Sequence, residues 1–277
     1  MAAVLLALLT ALAYGVANYL GPLLSRRLPL GGVLVVGQLA SLAGAAVFLL
    51  FRGGSTDRTG LLLGLVAGVI NGVALASFYR AASRGSISIV APIGSTGAIV
   101  PVVVSMIQGE RPGALQLVGI PIAIAGIALA AARAAAQPDA DPVAGIRLAV
   151  FSAFAFGSFL AVFAAASHHG SAAAVLTSRA ALLACTALVV AVARLPWRIP
   201  RSDLAATALP GLLLVIGTAA YGVATTKGLV SIVSVLATLS PVVTVALAVL
   251  LLHERLAPRQ RLGVAVALAG VVCLAAG

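Results

Sequence analysis

Arg179 stands inside one of the most apolar stretches of the chain, SAAAVLTSRAALLACTALVVAV, eight residues after Ser171. If that stretch is helical, a rise of 1.5 Å per residue places the guanidinium roughly 12 Å from the helix end. A charge at that depth in hydrocarbon costs about 2.5–3.5 kcal/mol on insertion scales. The six acidic residues, Asp57, Glu110, Asp139, Asp141, Asp203 and Glu254, all fall in loops or at helix ends, so no carboxylate is at hand inside a span. Two readings follow. Either the counter-charge is a ligand, for instance a carboxylate taken by the guanidinium fork, or the side chain bonds helix-end carbonyls and reaches toward headgroups.

Besides that arginine, a set of polar and aromatic residues suits a cavity lining: Tyr14, Asn18, Gln38, Asn71, Ser95, Thr96, Phe156, Ser158, Tyr221 and Ser240. Amides and hydroxyls orient a ligand, and aromatic rings cover its apolar part. Taken singly, each could equally make an ordinary helix–helix hydrogen bond, worth about 0.6 kcal/mol. Pro92, Gly94, Gly97 and Pro101 crowd one apolar segment, and Pro241 follows Ser240 in another. A proline removes one helical hydrogen bond and frees a carbonyl, which a membrane tolerates where backbone is buried in protein or lines a wet cavity. Pro92, Pro101 and Pro241 are therefore candidate gating or kink positions, with a plain structural kink as the alternative. Glu110-Arg111 and Glu254-Arg255 read as structural helix-end pairs, and His168-His169 as a solvated turn. Cys185 and Cys273 are isolated core thiols, and no metal or cofactor site is expected.

The elements that must position these residues are membrane helices. The chain is 62% hydrophobic and 8% charged, and runs of about 18–24 apolar residues, each long enough to cross ~30 Å of hydrocarbon, recur end to end. Spans are expected near 3–24, 31–51, 61–79, 87–107, 115–132, 148–166, 172–192, 204–224, 229–252 and 262–276. Strand alternation is absent, which excludes a barrel. The first span lacks a basic leader, and Arg26 and Arg27 follow its apolar run, so it is expected to be retained as a helix even though ALA at 11–13 resembles a cleavage site. The net charge of +11 belongs to short loops and does not call for nucleic acid.

The second half of the chain repeats the first. RGSISIVAP near 84 returns as KGLVSIVSV near 227, Glu110-Arg111 as Glu254-Arg255, and VGIPIAIAG as LGVAVALAG, with Gly119, Ala123 and Gly126 each 144 positions before Gly263, Ala267 and Gly270. Those glycines, seven apart, share one helix face and suit close packing. Five spans per copy make an odd number, so the copies must enter the membrane from opposite sides. The expected fold is an all-α polytopic membrane protein of ten transmembrane helices in two inverted five-helix repeats, 1–134 and 146–277, joined by a linker at 135–145. Loops after odd-numbered spans hold twelve basic residues (Arg26, Arg27, Arg80, Arg84, Arg133, Arg147, Arg194, Arg198, Arg201, Arg255, Arg259, Arg261) against four (Arg52, Arg58, Arg111, Lys227) on the other side. The positive-inside rule then sets both termini outside. Sixteen arginines against one lysine, with abundant Ala and Gly, suggest a GC-rich bacterial genome and hence a cytoplasmic (inner) membrane.

Tyr14-Gly15 with Asn18, SRGS…IVAPI, LSPVVTVALAVLLLHER and the paired G-x6-G helices resemble the EamA type of the drug/metabolite transporter superfamily, over essentially the whole chain. The resemblance implies ten helices, a central cavity between the repeats, and transport of small organic metabolites, often outward. Family members commonly carry an arginine in the second helix of each repeat; here Arg179 fills that role while the first copy offers Gln38. With no buried acid or histidine to share a proton with substrate, a facilitator or exporter of metabolites such as amino acids is expected. A proton-coupled antiporter is the alternative. A channel lacks a charged ring or filter-like repeat, an enzyme lacks an embedded nucleophile–base set, and a non-transporting scaffold would be indifferent to loss of Arg179. The expected partners are the lipid bilayer and a small-molecule substrate, with the chain itself a monomer.

Overall fold

In a bilayer every backbone N–H and C=O must be paired within the chain, so apolar segments of this length become helices. The computed structural model describes residues 1–53, 57–84, 93–131, 142–252 and 257–276, and among them there is no strand. In order the helices are α1 (Ala2–Ser25), α2 (Leu30–Arg52), α3 (Arg58–Arg84), α4 (Ile99–Ile107, entered through a 3-10 turn at Thr96–Ala98), α5 (Ala114–Ala131), α6 (Pro142–His168), α7 (Ser171–Val192), α8 (Leu204–Thr225), α9 (Val230–Ala237), α10 (Ser240–Leu252) and α11 (Pro258–Ala276). Among the described residues, eight segments are long and apolar enough to cross a membrane, α9 and α10 counting as one, and Ile93–Ile107 and Ala114–Ala130 are shorter apolar helices.

Several helices overrun the apolar runs that define them. Arg80 and Arg84 ride on the tail of α3, Arg147 on α6, and Arg259 and Arg261 on the first turns of α11. A helix can continue into the headgroup layer, where arginine is welcome, so the loss of hydropathy does not end it. Pro142 and Pro258 open their helices, where a missing N–H costs nothing. α7 ends differently. The Leu195 N–H reaches back to the Val190 carbonyl at 3.0 Å, which forces Arg194 to φ 51°, a left-handed conformation that favours glycine. Arg194→Gly is therefore expected to stabilise the fold by about 1 kcal/mol, read as a raised midpoint of thermal unfolding in detergent; a lowered midpoint would show that the guanidinium outweighs the backbone strain.

The inversion is visible contact by contact. A Cβ on Gly126 would strike Ala267, and one on Gly270 would strike Ala123; exchanging each residue for its partner 144 positions away turns the first contact into the second. Gly263 against Ala130 and Gly119 against Leu274 form another such pair. A local two-fold axis thus runs between α5 and α11, which pack antiparallel with backbones close enough that only glycine fits. The pattern recurs elsewhere. Thr10 donates across to the Gly217 carbonyl (3.1 Å), and Ser152 donates to the Ala74 carbonyl (2.9 Å). Gly15 lies against Val243 and the Ser240 carbonyl, and Gly157 against Val100 and the Gly97 carbonyl.

The interior is made of small residues, with Ala7, Ala45, Ala67, Ala98, Ala123, Ala174 and Ala224 among the fully or nearly fully buried. Large aliphatics such as Leu50, Leu188, Leu250 and Val272 are exposed. This is the arrangement lipid demands, because aliphatic side chains gain nothing by leaving an apolar solvent while small ones let helices approach.

Candidate functional site

The inward stripe of α7 runs Val175, Ser178, Arg179, Leu182, Thr186, a helical periodicity that carries Arg179 to the centre of the protein, where it is 3% exposed. It does not snorkel. Nη2 donates to the Leu214 carbonyl of α8 at 3.5 Å, the outer limit of a hydrogen bond, and Nε has no partner. The Leu214 carbonyl also accepts the Thr218 hydroxyl at 2.8 Å, so Arg179 shares a group already engaged. Thr218 in turn bonds the Tyr14 hydroxyl at 2.8 Å, and Tyr14 is near enough to Arg179 for the two to interact electrostatically.

The facing stripe of α2 supplies two further unpaired polar atoms. Gln38 and Ser41 lie one turn apart on its buried face, with Gln38 Oε1 and Ser41 Oγ lacking partners. α2 packs on both α7 and α8: Gly31 meets Val190 and the Pro196 carbonyl, Gly37 touches Gly211, and Gly44 meets Val215. Leu214 therefore lies at the level of Gln38 and Ser41. Burying a polar atom without a partner costs about 1–3 kcal/mol, more for a charged group. Three such atoms face the helix interfaces of α2, α7 and α8, and they are donors and acceptors suited to a small polar anion with a further polar group.

The remaining expected residues divide. Tyr221 does not line open space: it is fully buried, its hydroxyl donates to the Leu160 carbonyl (3.1 Å) and meets Ser234 Oγ (2.8 Å), and its ring stacks on Phe163. Asn18 faces outward on α1 and does not join the buried cluster. Phe156 occupies the place in the second repeat that Tyr14 has in the first, and packs edge-on to Phe78 at 6.3 Å. Asn71, Ser95, Thr96, Ser158 and Ser240 are half-buried; Thr96 donates to the Ile93 carbonyl (2.7 Å), and the Ser240 carbonyl accepts the Thr244 hydroxyl (3.0 Å), which also reaches Gly15.

Of the prolines, Pro92 lies outside the described residues. Pro101 lies inside the continuous helical stretch Ile93–Ile107, where its missing N–H leaves the Gly97 carbonyl without a helical partner, whereas Pro241 sits in the first turn of α10 after the Thr238–Leu239 turn, where no helical hydrogen bond is lost. The ninth span is therefore not kinked but broken: α9 ends at Ala237, Thr238 and Leu239 form a turn, and α10 restarts at Ser240 beside Gly15.

Sequence reasoning missed Ser41, Thr10 and Thr218. Ser41, three residues after Gln38, was legible as part of the same helix face. Thr10 and Thr218 carried no signal, since hydroxyls in membrane helices usually bond their own backbone. It also read Glu110 and His169 as local features, whereas both bridge the repeats. His169 Nδ1 lies 2.8 Å from Asp57 Oδ2, and the Gly60 N–H and the His169 ring hold the Asp57 carboxyl below the usual carboxylate range. Glu110 caps α9, as described below. Among the described residues no cluster of His, Cys, Asp or Glu could hold a metal.

Ten apolar helical segments among the described residues, packed as two inverted halves with unpartnered polar atoms buried between helices, define a polytopic inverted-repeat membrane protein. The sequence matches the family model of the EamA-like transporter family over residues 1–132 and 143–276, and the chain belongs to that family. It is a membrane transporter of the drug/metabolite type, and its membership points away from catalysis. A crystal structure titled "Crystal structure of protein" has the same fold, with a TM-score of 0.79 at 17% identity over 98% of this chain and 95% of that one. No curated protein matches the sequence.

Proposed function

We propose that the protein moves a small carboxylate-bearing organic metabolite, an amino acid or a relative of one, across a bacterial cytoplasmic membrane with both termini on the outer side. The observation that carries this reading is the buried guanidinium of Arg179, which has one long bond to a shared carbonyl and an unpaired Nε. A cation so poorly served is stabilised by an anion, and a substrate carboxylate can supply two parallel charge-assisted bonds. Gln38 and Ser41 would meet a second polar group, and Tyr14 would close over the first. A cationic drug fits less well, because no acidic residue lies within an apolar span.

Access would alternate by rocking of the two repeats about this central cluster, with the broken ninth span and its counterpart, the fourth, as the moving parts. Direction would follow the gradient, as for an exporter or facilitator. The test is counterflow in proteoliposomes over a panel of amino and hydroxy acids, wild type beside Arg179→Ala, with proton movement recorded. Saturable carboxylate exchange that the variant lacks by at least about tenfold is expected, the cost of one charge-assisted recognition pair. Equal rates in both proteins would sink the anchoring role of Arg179, and stoichiometric substrate-dependent proton movement would replace the facilitator by an antiporter.

A further inference from the structure

α4 ends in a turn that only a left-handed residue allows. The Gly109 N–H bonds the Met106 carbonyl at 3.1 Å, the Glu110 N–H bonds the Ser105 carbonyl at 3.0 Å, and Gly109 itself has φ 102°. The turn throws Glu110 off the helix axis and across to the second repeat. There one carboxylate oxygen accepts the Val230 N–H, and the other accepts both the Ser231 N–H (3.0 Å) and the Ser231 hydroxyl (2.7 Å). Val230 and Ser231 are the first two residues of α9, whose own flanking residue, Leu229, has no side chain able to cap. The cap of this helix is thus lent by the opposite repeat, 120 and 121 residues away in sequence.

α9 is no peripheral helix. Every residue from Ser231 to Ala237 is buried, and it packs against α1, α4, α5 and α8. It begins at the face where α1 begins, since Gly228 lies against Ala3, and it ends at the break beside Ser240 and Gly15, next to Tyr14. It therefore runs from that face to the level of Tyr14, whose hydroxyl bonds Thr218 beside the Leu214 carbonyl that Arg179 meets. Its cap suits a part that must move. While the interface is dry, the α9 amides and the carboxylate satisfy one another; once the interface parts, water can take over all of them.

We propose that Glu110 is the latch that holds the transporter closed on the face where α1 begins, and that its release from Val230 and Ser231 opens the path to the central site from that face. The inference rests on the alternating-access reading above. Its test needs no substrate, so its failure leaves the carboxylate assignment standing. Thr238→Cys, at the inner end of α9, is built into protein lacking Cys185 and Cys273, and a charged, membrane-impermeant thiol reagent is applied from each face of sealed proteoliposomes in turn. Glu110→Gln and Ser231→Ala are expected to raise the labelling rate from the α1 entry face at least tenfold and leave the rate from the other face unchanged or lower. Labelling at the parental rate in both variants overturns the latch, as does an equal rise from both faces, which would report general loosening. Should Glu110→Gln not fold, Ser231→Ala decides alone, since it keeps the carboxylate and both backbone donors.

Discussion

Replacing Arg179 by methionine is expected to make the ligand-free protein more stable, by about 1–3 kcal/mol, while abolishing its response to carboxylates. The side chains have similar length. Methionine fills the same space among Val175, Ser178 and Leu182 without burying a charge. The bond surrendered is the 3.5 Å contact to the Leu214 carbonyl, which the Thr218 hydroxyl still occupies. At about 2–4 °C per kcal/mol for a chain of this size, the rise is measurable by thermal unfolding in detergent. Wild type should gain further stability from carboxylate ligands, and the variant should not. A variant several kcal/mol less stable than wild type, with an unchanged ligand response, would make Arg179 a structural residue. A residue that weakens its fold and is still needed by it for work is the signature of a binding site.

A second large effect is expected where the repeats meet backbone to backbone. A Cβ on Gly211 of α8 would land on the Gly37 carbonyl of α2. No rotamer change relieves a clash with backbone, so Gly211→Val must push α2 and α8 apart beneath the Gln38–Ser41 face. Loss of stability of about 4 kcal/mol or more, or failure to fold, is expected. Gly21 of α1 provides the contrast, because nothing lies within 4 Å of its added Cβ. Gly21→Ala should be neutral or stabilising by about 0.5–1 kcal/mol, from helix propensity alone. Near-equal unfolding midpoints for the two variants would show that α2 and α8 are not seated as described.

Much of the architecture was legible because hydrocarbon leaves few choices. Every apolar run had to become a helix, and the odd number of runs per copy had to invert the second copy. The glycines of α5 and α11 were legible for the same reason: small residues spaced by seven share a face, and that face became the self-complementary contact of Gly126 with Ala267 and Gly270 with Ala123. Helix ends were less legible. Hydropathy falls at the headgroup layer, while the backbone has no reason to stop there, so α3 and α6 run on past their apolar cores.

By itself, the sequence determined the membrane class, the inverted repeats and the placement of one charge on an inward helix face, since each follows from composition and period. Only the tertiary structure decided which buried polar atoms go without a partner. Gln38 Oε1, Ser41 Oγ and Arg179 Nε are buried and unpaired, whereas Tyr221, equally promising as a residue type, is consumed by Leu160 and Ser234. The same holds for Glu110, whose partners lie 120 residues away. Local pattern specifies which face of a helix is buried; it carries no record of which distant backbone amides that face will meet, and those meetings decide whether a buried polar group is satisfied or left for a ligand.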